Sequence, residues 1–469
     1  MQTEITMTDA LNAQLADALT TLGAAMEERN LRQLVSVRTI DRLEPIEGAD
    51  LIELAVIGGW KVVVKRGEFQ PLDQCVYFEI DCFLPDGNPA WQFLVDKSSR
   101  LFQGVKGHKL RTIKLRGQIS QGLILPIDAL PVVAYVAATG AVGRKHLGAM
   151  LTDEVRNEAD TLCQVIGMKD DEGVETEVTD FDFASLLGVV KWEAELPACL
   201  AGQAQGLFPS FIRKTDQERC QNLVGEIFGY DDRLVPFDVT PLIPEALAAL
   251  QEQGILKQVD GEWFKLLKAK ADRDARYEIT MKLDGSSTTF FHRDGEVGVC
   301  SRNLQLKISE ENAENSFVRM LFDSGLNWAL PTLGNVAIQG ELMGPGIQGN
   351  RENLKQFEFF VFDVQLIDEG RFMTADERMA LMNQLARIGV NMGIVHHAPV
   401  FDGKKFVSDF ITPTFTLDEL GITDVAGLLK FVEGPSLNHA IREGDVFKRD
   451  DGKFSFKGIN NLFLAKEKE

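Results

Sequence analysis

A chain of 469 residues with 45% hydrophobic content has room for two or three domains with sizeable cores. A net charge of −21 argues against whole-surface attraction to nucleic acid, although it leaves room for a local basic groove. No apolar run approaches the roughly 20 residues needed to cross a bilayer. The six cysteines (Cys75, Cys82, Cys163, Cys199, Cys220 and Cys300) form no C-x-x-C pair, which speaks against disulfides and a zinc site. The histidines do not cluster at ligand spacing, and His396 and His397 would point apart in a strand. A cytoplasmic protein without membrane contact is expected.

Residues 1–32 read as a polar helix around Leu15, Leu19, Leu22 and Met26. They lack the basic end and apolar stretch of a signal peptide. From 33 to about 130 the pattern is all-β. Leu51–Ile57, Trp60–Lys65 and Gln74–Ile80 are short β-rich runs between Gly, Pro and Asp turns, and Gly122–Pro126 closes the set. Several short strands in about a hundred residues suit a small barrel of the OB type, a nucleic-acid platform, or a generic barrel without a ligand. Between Lys97 and Arg116 lie seven bases and no acid. Leu110–Arg116 alternates apolar and basic residues, predicting one wet, positive face. Lys109, Arg111, Lys114 and Arg116 are therefore candidate nucleic-acid contacts.

Residues 131–205 mix alanine-rich helix, glycine and an acidic run and read as connecting structure. The first domain is set at 33–150 and an acidic linker at 151–205, where 170–182 carries seven acids and no base. From 206 to 469 the pattern is mixed. Helices are expected over Pro244–Gln253, Ala375–Ile388 and Leu417–Val432. Strands are expected at Asn335–Gln339, Glu358–Val364 and Gly444–Arg449. The fold class is α+β.

Within the second domain, Lys282-Leu-Asp284-Gly285-Ser ends the apolar run Tyr277–Met281. Lys282 and Asp284 lie two apart and so share a side of the chain, and Gly285 allows a turn where a bulky ligand approaches. That setting suits a lysine used as a nucleophile. Ser301-Arg302-Asn303 follows a hairpin at Asp294-Gly295, where an arginine can reach a phosphate or ribose. Gly340-Glu341 ends an apolar strand. Phe359-Phe-Val-Phe-Asp363 is an aromatic strand with one ring available to stack on a purine. Arg442-Glu443-Gly444 leads to Lys448, a lysine on an otherwise apolar strand that needs an anion. Lys457 follows.

This ordered set resembles the covalent nucleotidyltransferase superfamily of ligases and capping enzymes. More closely, it resembles ATP-dependent RNA ligases that carry an OB-type domain ahead of the catalytic domain. The similarity extends to Gly59-Trp60, Ser120-Gln-Gly122 and Phe208–Asp216. Only 12 residues follow Lys457, and the β-rich domain comes first, which favours RNA ligases over DNA ligases or GTP-dependent capping enzymes. The resemblance implies an N-terminal OB-like barrel followed by a nucleotidyltransferase domain of antiparallel sheets and helices.

It also implies that Lys282 takes AMP from ATP, passes it to a 5′-phosphate end, and seals that end to a 3′-hydroxyl in RNA repair. Lys448 and Lys457 would be the supporting cations. Asp284, Glu341 and Glu443 would hold Mg²⁺ or Mn²⁺. Arg302, Glu341, Glu443 and the three lysines would meet the nucleotide. Phe359 would stack on adenine, with Phe360 as the choice if the strand's phase is reversed. Nearby cations and the metal are expected to lower the Lys282 pKa. The partner would be RNA ends, in a nicked duplex bridged by RNA or DNA, with the protein a monomer. Two departures stand out: Ser455 replaces the first lysine of a common K-x-K, where Lys453 is a substitute, and Met281 precedes the nucleophile where related ligases often have glutamate.

Overall fold

The structure, a computed structural model, describes residues 33–94, 99–138, 147–168, 176–192, 202–229, 271–408 and 411–466. It also describes short stretches around strands at 233–236, 256–259 and 262–267. The helix expected over 1–32, most of that over Pro244–Gln253, and the acidic residues 170–175 lie outside the described residues.

In the N-terminal domain, Gln74–Phe78 runs between Val35–Thr39 and Leu123–Pro126 in an antiparallel sheet. Alternation sends Val76 and Phe78 to one side and Cys75 and Tyr77 to the other, and both sides are buried in cores. On the first side Val132, Val133 and Val136 of the helix Pro131–Ala137 pack with Trp91 and Phe183. On the second, the hairpin of Ile52–Ile57 and Trp60–Lys65 supplies Ile57, Trp60 and Val62, joined by Ile459 and Leu464 from the far end of the chain. Burying such a side chain is worth roughly 1.5–3 kcal/mol, so the C-terminal segment is fastened to the N-terminal domain by its own apolar contacts.

The expected barrel is not closed. Its strands pair in separate sheets: Asp81, at φ 69°, turns the chain between Gln74–Phe78 and Cys82–Pro85 and breaks the ladder there. The segment expected to be a linker is in part built into this domain. Asp182 accepts from the backbone N–H groups of Leu34 and Val35 at 3.1 and 3.0 Å, Phe183 is buried, and Val190–Lys191 pairs with Cys82–Pro85.

Among the described residues the C-terminal domain holds two large sheets and a small one in which Glu262–Leu267 lies between Arg233–Pro236 and Leu256–Val259. The eight-stranded sheet has Ser286–Arg293, Val336–Met343 and Glu358–Leu366 at its centre. Phe290, Ile338, Phe359 and Val361 face a core with Met320 and Leu321 of helix Ser316–Asp323 and Met382 and Leu385 of helix Ala375–Arg387. The six-stranded sheet places Tyr277–Lys282 beside Gly444–Arg449, then Ser455–Ile459 and Glu218–Arg219. The helix expected over Leu417–Val432 is shortened to Val425–Phe431: Gly421 at φ 69° ends a preceding turn, and Asp424 caps a fresh start by accepting from Gly427 N at 2.7 Å. Among the described residues no helix is long and apolar enough to cross a membrane.

Candidate active site

A cleft of about 3390 Å³ opens between the two large sheets and the N-terminal domain, lined by Lys282, Asp284, Arg302, Glu341, Phe360, Glu443, Lys448 and Lys457 among others. Register brings these groups together. Lys282 pairs with Gly444 and Glu278 with Lys448, so Glu443 arrives beside the nucleophile candidate, with Lys282 Nζ 2.8 Å from Glu443 Oε1. Glycine is required at 444: a Cβ there would lie 2.1 Å from the Gly458 carbonyl oxygen. At Gly285 the need is also close approach rather than a turn. A Cβ would meet the Leu342 carbonyl at 2.5 Å, and Gly285 N donates to Glu341 Oε1 at 2.9 Å.

Burial by itself would lower the Lys282 pKa, but Glu443, Glu341 and Asp284 outweigh it and hold the ammonium above its ordinary value. The expected depression by Lys448 and Lys457 is therefore absent in this state, because each of those lysines has its own acid. Lys448 Nζ lies 2.7 Å from Asp363 and donates to the Phe362 carbonyl at 2.6 Å. Lys457 Nζ lies 2.7 Å from Asp216. Burial lowers both lysines, Lys457 to about 8, against the pull of these acids. Burial raises Glu341 to about 8 against Lys282, with Glu443 adding to the rise. Asp284 is raised by burial and by Glu443, against its partner Arg351. Around Lys282 negative charge is thus in excess.

Beneath this layer lies a buried network. Arg378 Nη2 donates to Glu278 Oε1 at 2.6 Å and Nε to His397 Nε2 at 3.1 Å, and Nη1 lies 3.8 Å from Asp363. Asp363 reaches the cleft through a bulge. Gln339 pairs with Asp363 but Gly340 with Val361, leaving Phe362 as the extra residue. The insertion reverses the strand's phase, so Phe360 and Asp363 both line the cleft while Phe359, Val361 and Val364 stay in the core.

The family model described as RNA ligase matches residues 275–463, and one described as an OB-fold domain matches residues 34–127. The search of curated proteins finds no match. Solved structures of an RNA ligase from Naegleria gruberi are similar over nearly their whole length. A mutant with AMP and Mn is 33% identical, with a TM-score of 0.65, covering 93% of this chain and 99% of that one. The form with pyrophosphate is 32% identical at a TM-score of 0.66, with the same coverage of 93% and 99%. The chain belongs to the RNA ligase family. Its architecture is accordingly an OB-fold domain followed by a ligase domain.

Within that ligase domain the structure gathers most of the residues expected from the motifs and moves one. Phe359 cannot stack on a ligand: it is fully buried and packs edge-on against Phe290, with ring centroids 4.9 Å apart. Phe360 lines the cleft instead, because neighbouring residues on a strand face opposite ways. Arg302, more than half exposed, lies 3.3 Å from Asp216 at the cleft mouth.

The basic stripe is divided. Lys109 ends the strand Val105–Lys109, lines the cleft and lies 3.7 Å from Asp81. Arg111, Lys114 and Arg116 are exposed on or beside the hairpin of Thr112–Leu115 and Gln118–Gln121. Ile113 and Leu115 are 40% and 38% exposed as well, so the hairpin is wet on both faces, not one.

Sequence reasoning missed Asp216, which also draws Lys191 to 3.7 Å. Burial opposes its ionisation, yet Lys457, Lys191 and Arg302 hold it well below the usual carboxylate range. It missed Asp363 too, although both acids end segments that carry the family resemblance. Arg378 had no signal: in sequence it is an ordinary helix residue.

Proposed function

We propose that the protein is an ATP-dependent RNA ligase that joins 3′-hydroxyl and 5′-phosphate ends through a lysyl-AMP. Lys282 Nζ attacks the α-phosphorus of ATP, the bond to the oxygen bridging toward the β-phosphate breaks, and pyrophosphate leaves. Glu443 Oε1, at 2.8 Å, is placed to accept the proton that Nζ must lose. An oxygen of the RNA 5′-phosphate then attacks the AMP phosphorus, and the bond to Lys282 breaks. Attack of the 3′-hydroxyl on that 5′-phosphate releases AMP. Lys448 and Lys457, both lining the cleft, neutralise charge growing on the phosphates. Phe360 supplies the face for adenine. Arg302 meets the sugar or a phosphate.

Asp284, Glu341 and Glu443 would hold a divalent cation, Mg²⁺ or Mn²⁺. Three carboxylates around one ammonium, with Glu341 raised to about 8 by burial and further by Glu443, offer the oxygen ligands a hard cation takes. Such an ion keeps several waters, so it would be held largely through them. Bound there, such an ion supplies positive charge that opposes the hold of Glu443 on the Lys282 proton. The Naegleria gruberi enzyme has been solved with ATP and Mn, which supports carrying both to this chain.

The observation that carries this assignment is the meeting of Lys282, Glu443 and Glu341 on the floor of one cleft with Lys448 and Lys457. The test is self-labelling with α-labelled ATP or GTP and Mg²⁺ or Mn²⁺. ATP-specific label lost in Lys282→Ala supports it. GTP label would move the protein to capping chemistry. No label with folded protein, and no adenylate by mass spectrometry, overturns it. Sealing of nicked RNA bridged by RNA or by DNA then separates the substrates.

A further inference from the structure

The loop after Glu341 is folded at evident conformational cost. Gln348, Asn350 and Asn353 all have left-handed backbones, at φ 43°, 49° and 52°, where residues bearing a Cβ are strained. The loop is held in that shape from within and without. Asn350 Nδ2 donates to the Leu354 carbonyl at 2.9 Å, and its Oδ1 accepts from Leu354 N at 3.0 Å. The buried Glu352 accepts from Asn438 N, and Asn438 Nδ2 donates back to the Glu352 carbonyl at 3.0 Å.

What the loop presents is Arg351. Its Nη1 donates to Asp284 at 3.2 Å, and its Nη2 to the Ile441 carbonyl at 3.2 Å and toward His439 Nδ1 at 3.3 Å. One guanidinium thus fixes the acid two residues after Lys282 and the backbone two residues before Glu443. Its guanidinium carbon lies over the ring of Phe463, 4.5 Å from the centroid. Phe463 sits on the helix Asn461–Lys466, whose Leu464 is buried in the N-terminal domain's core beside Ile459. Asn461 accepts from Gln121 of that domain at 3.3 Å.

We propose that Arg351 is a positioning residue that couples the seating of the N-terminal domain to the placement of Asp284 and Glu443 around Lys282. The guanidinium is used twice at once, by its hydrogen bonds to Asp284 and Ile441 and by its contact with an aromatic ring. A lysine ammonium can do only part of this. The strained loop exists to hold that fork in place. Loss of the Phe463 contact therefore reaches the nucleophile's surroundings without touching them directly.

The inference rests on the ligase assignment, and wild-type self-labelling is its control: a wild type that does not label fails that assignment, not this coupling. In the full chain, single-turnover self-labelling and ATP affinity are measured for Arg351→Lys, Phe463→Leu and the double variant, with thermal melting to confirm folding. Arg351→Lys is expected to slow adenylyl transfer about tenfold or more with ATP affinity within about twofold. Phe463→Leu is expected to slow the same step by less. The double variant should be no slower than Arg351→Lys, because both changes cut one connection. Arg351→Gln provides the same reading if the lysine variant melts early. Wild-type rates in both Arg351 variants, a loss confined to ATP affinity, or multiplying effects in the double variant would each overturn the coupling.

Discussion

The charged groups of this molecule are used in two contrasting ways. In the ligase domain Lys282, Lys448 and Arg378 are each held by acids, at least partly out of water. Glu278 and Asp363 serve more than one cation. On the N-terminal hairpin Lys114 and Arg116 stand in solvent, and Arg111 beside it is exposed. A buried charge depends on its partners, since losing one leaves the other desolvated. An exposed charge acts independently and is screened by salt. The chemistry proposed for Lys282 needs the first arrangement, and the RNA grip proposed for the hairpin needs only the second.

The contrast is tested most severely at its centre. Lys282→Ala should reduce self-labelling by about 10³-fold or more, measured as label on the denatured chain. Arg378→Met tests the buried side. It removes the hydrogen-bonded partner of the buried Glu278, while Asp363 keeps Lys448, and should cost about 3–5 kcal/mol in urea unfolding. A loss no larger than that of a surface ion pair would erase the distinction between the regions.

The same network predicts a pH dependence. His397 is 1% exposed, and burial, reinforced by Arg378, lowers its pKa from 6.5 to about 4. Its folded-state pKa lies below the unfolded one, so the neutral ring's stabilisation is complete above 6.5 and is lost as pH falls toward 4. The effect should amount to roughly 3 kcal/mol. His397→Gln should lose that part of the acid sensitivity, visible as a flatter plot of unfolding free energy against pH over this window. The smallest effect is expected outside. Reversing Arg111, Lys114 and Arg116 to Glu should weaken RNA binding about tenfold or more and reduce the salt slope by about 2, with the melting temperature unchanged. Unchanged affinity across the salt range would remove the hairpin from the binding surface.

Much of this was legible along the chain. Lys282-x-Asp284-Gly285, Glu341, Glu443 and Lys448 declare themselves because their chemistry is unusual at the ends of apolar strands. Alternation likewise located Tyr277–Lys282 and Gly444–Arg449. Phase was the weak point. Phe359 and Phe360 are indistinguishable to a pattern of period two until the opposite face is known to be covered by helices. Asp363 reaches the cleft only because a bulge shifts the strand by one residue, and a local count of residues does not reveal where a ladder slips.

The sequence by itself determined the kinds of groups present and their order: a lysine at the end of an apolar strand, three acids and two later lysines, behind a β-rich domain. Those follow from residue type and spacing, which are local. Only the tertiary structure decided which acid neutralises which cation, and so that Lys282 rests with its pKa raised rather than lowered. It also decided that Ile459 and Leu464 are buried in the first domain's core. Coulomb energy depends on distance through space and on burial, and neither quantity is written in separation along the chain.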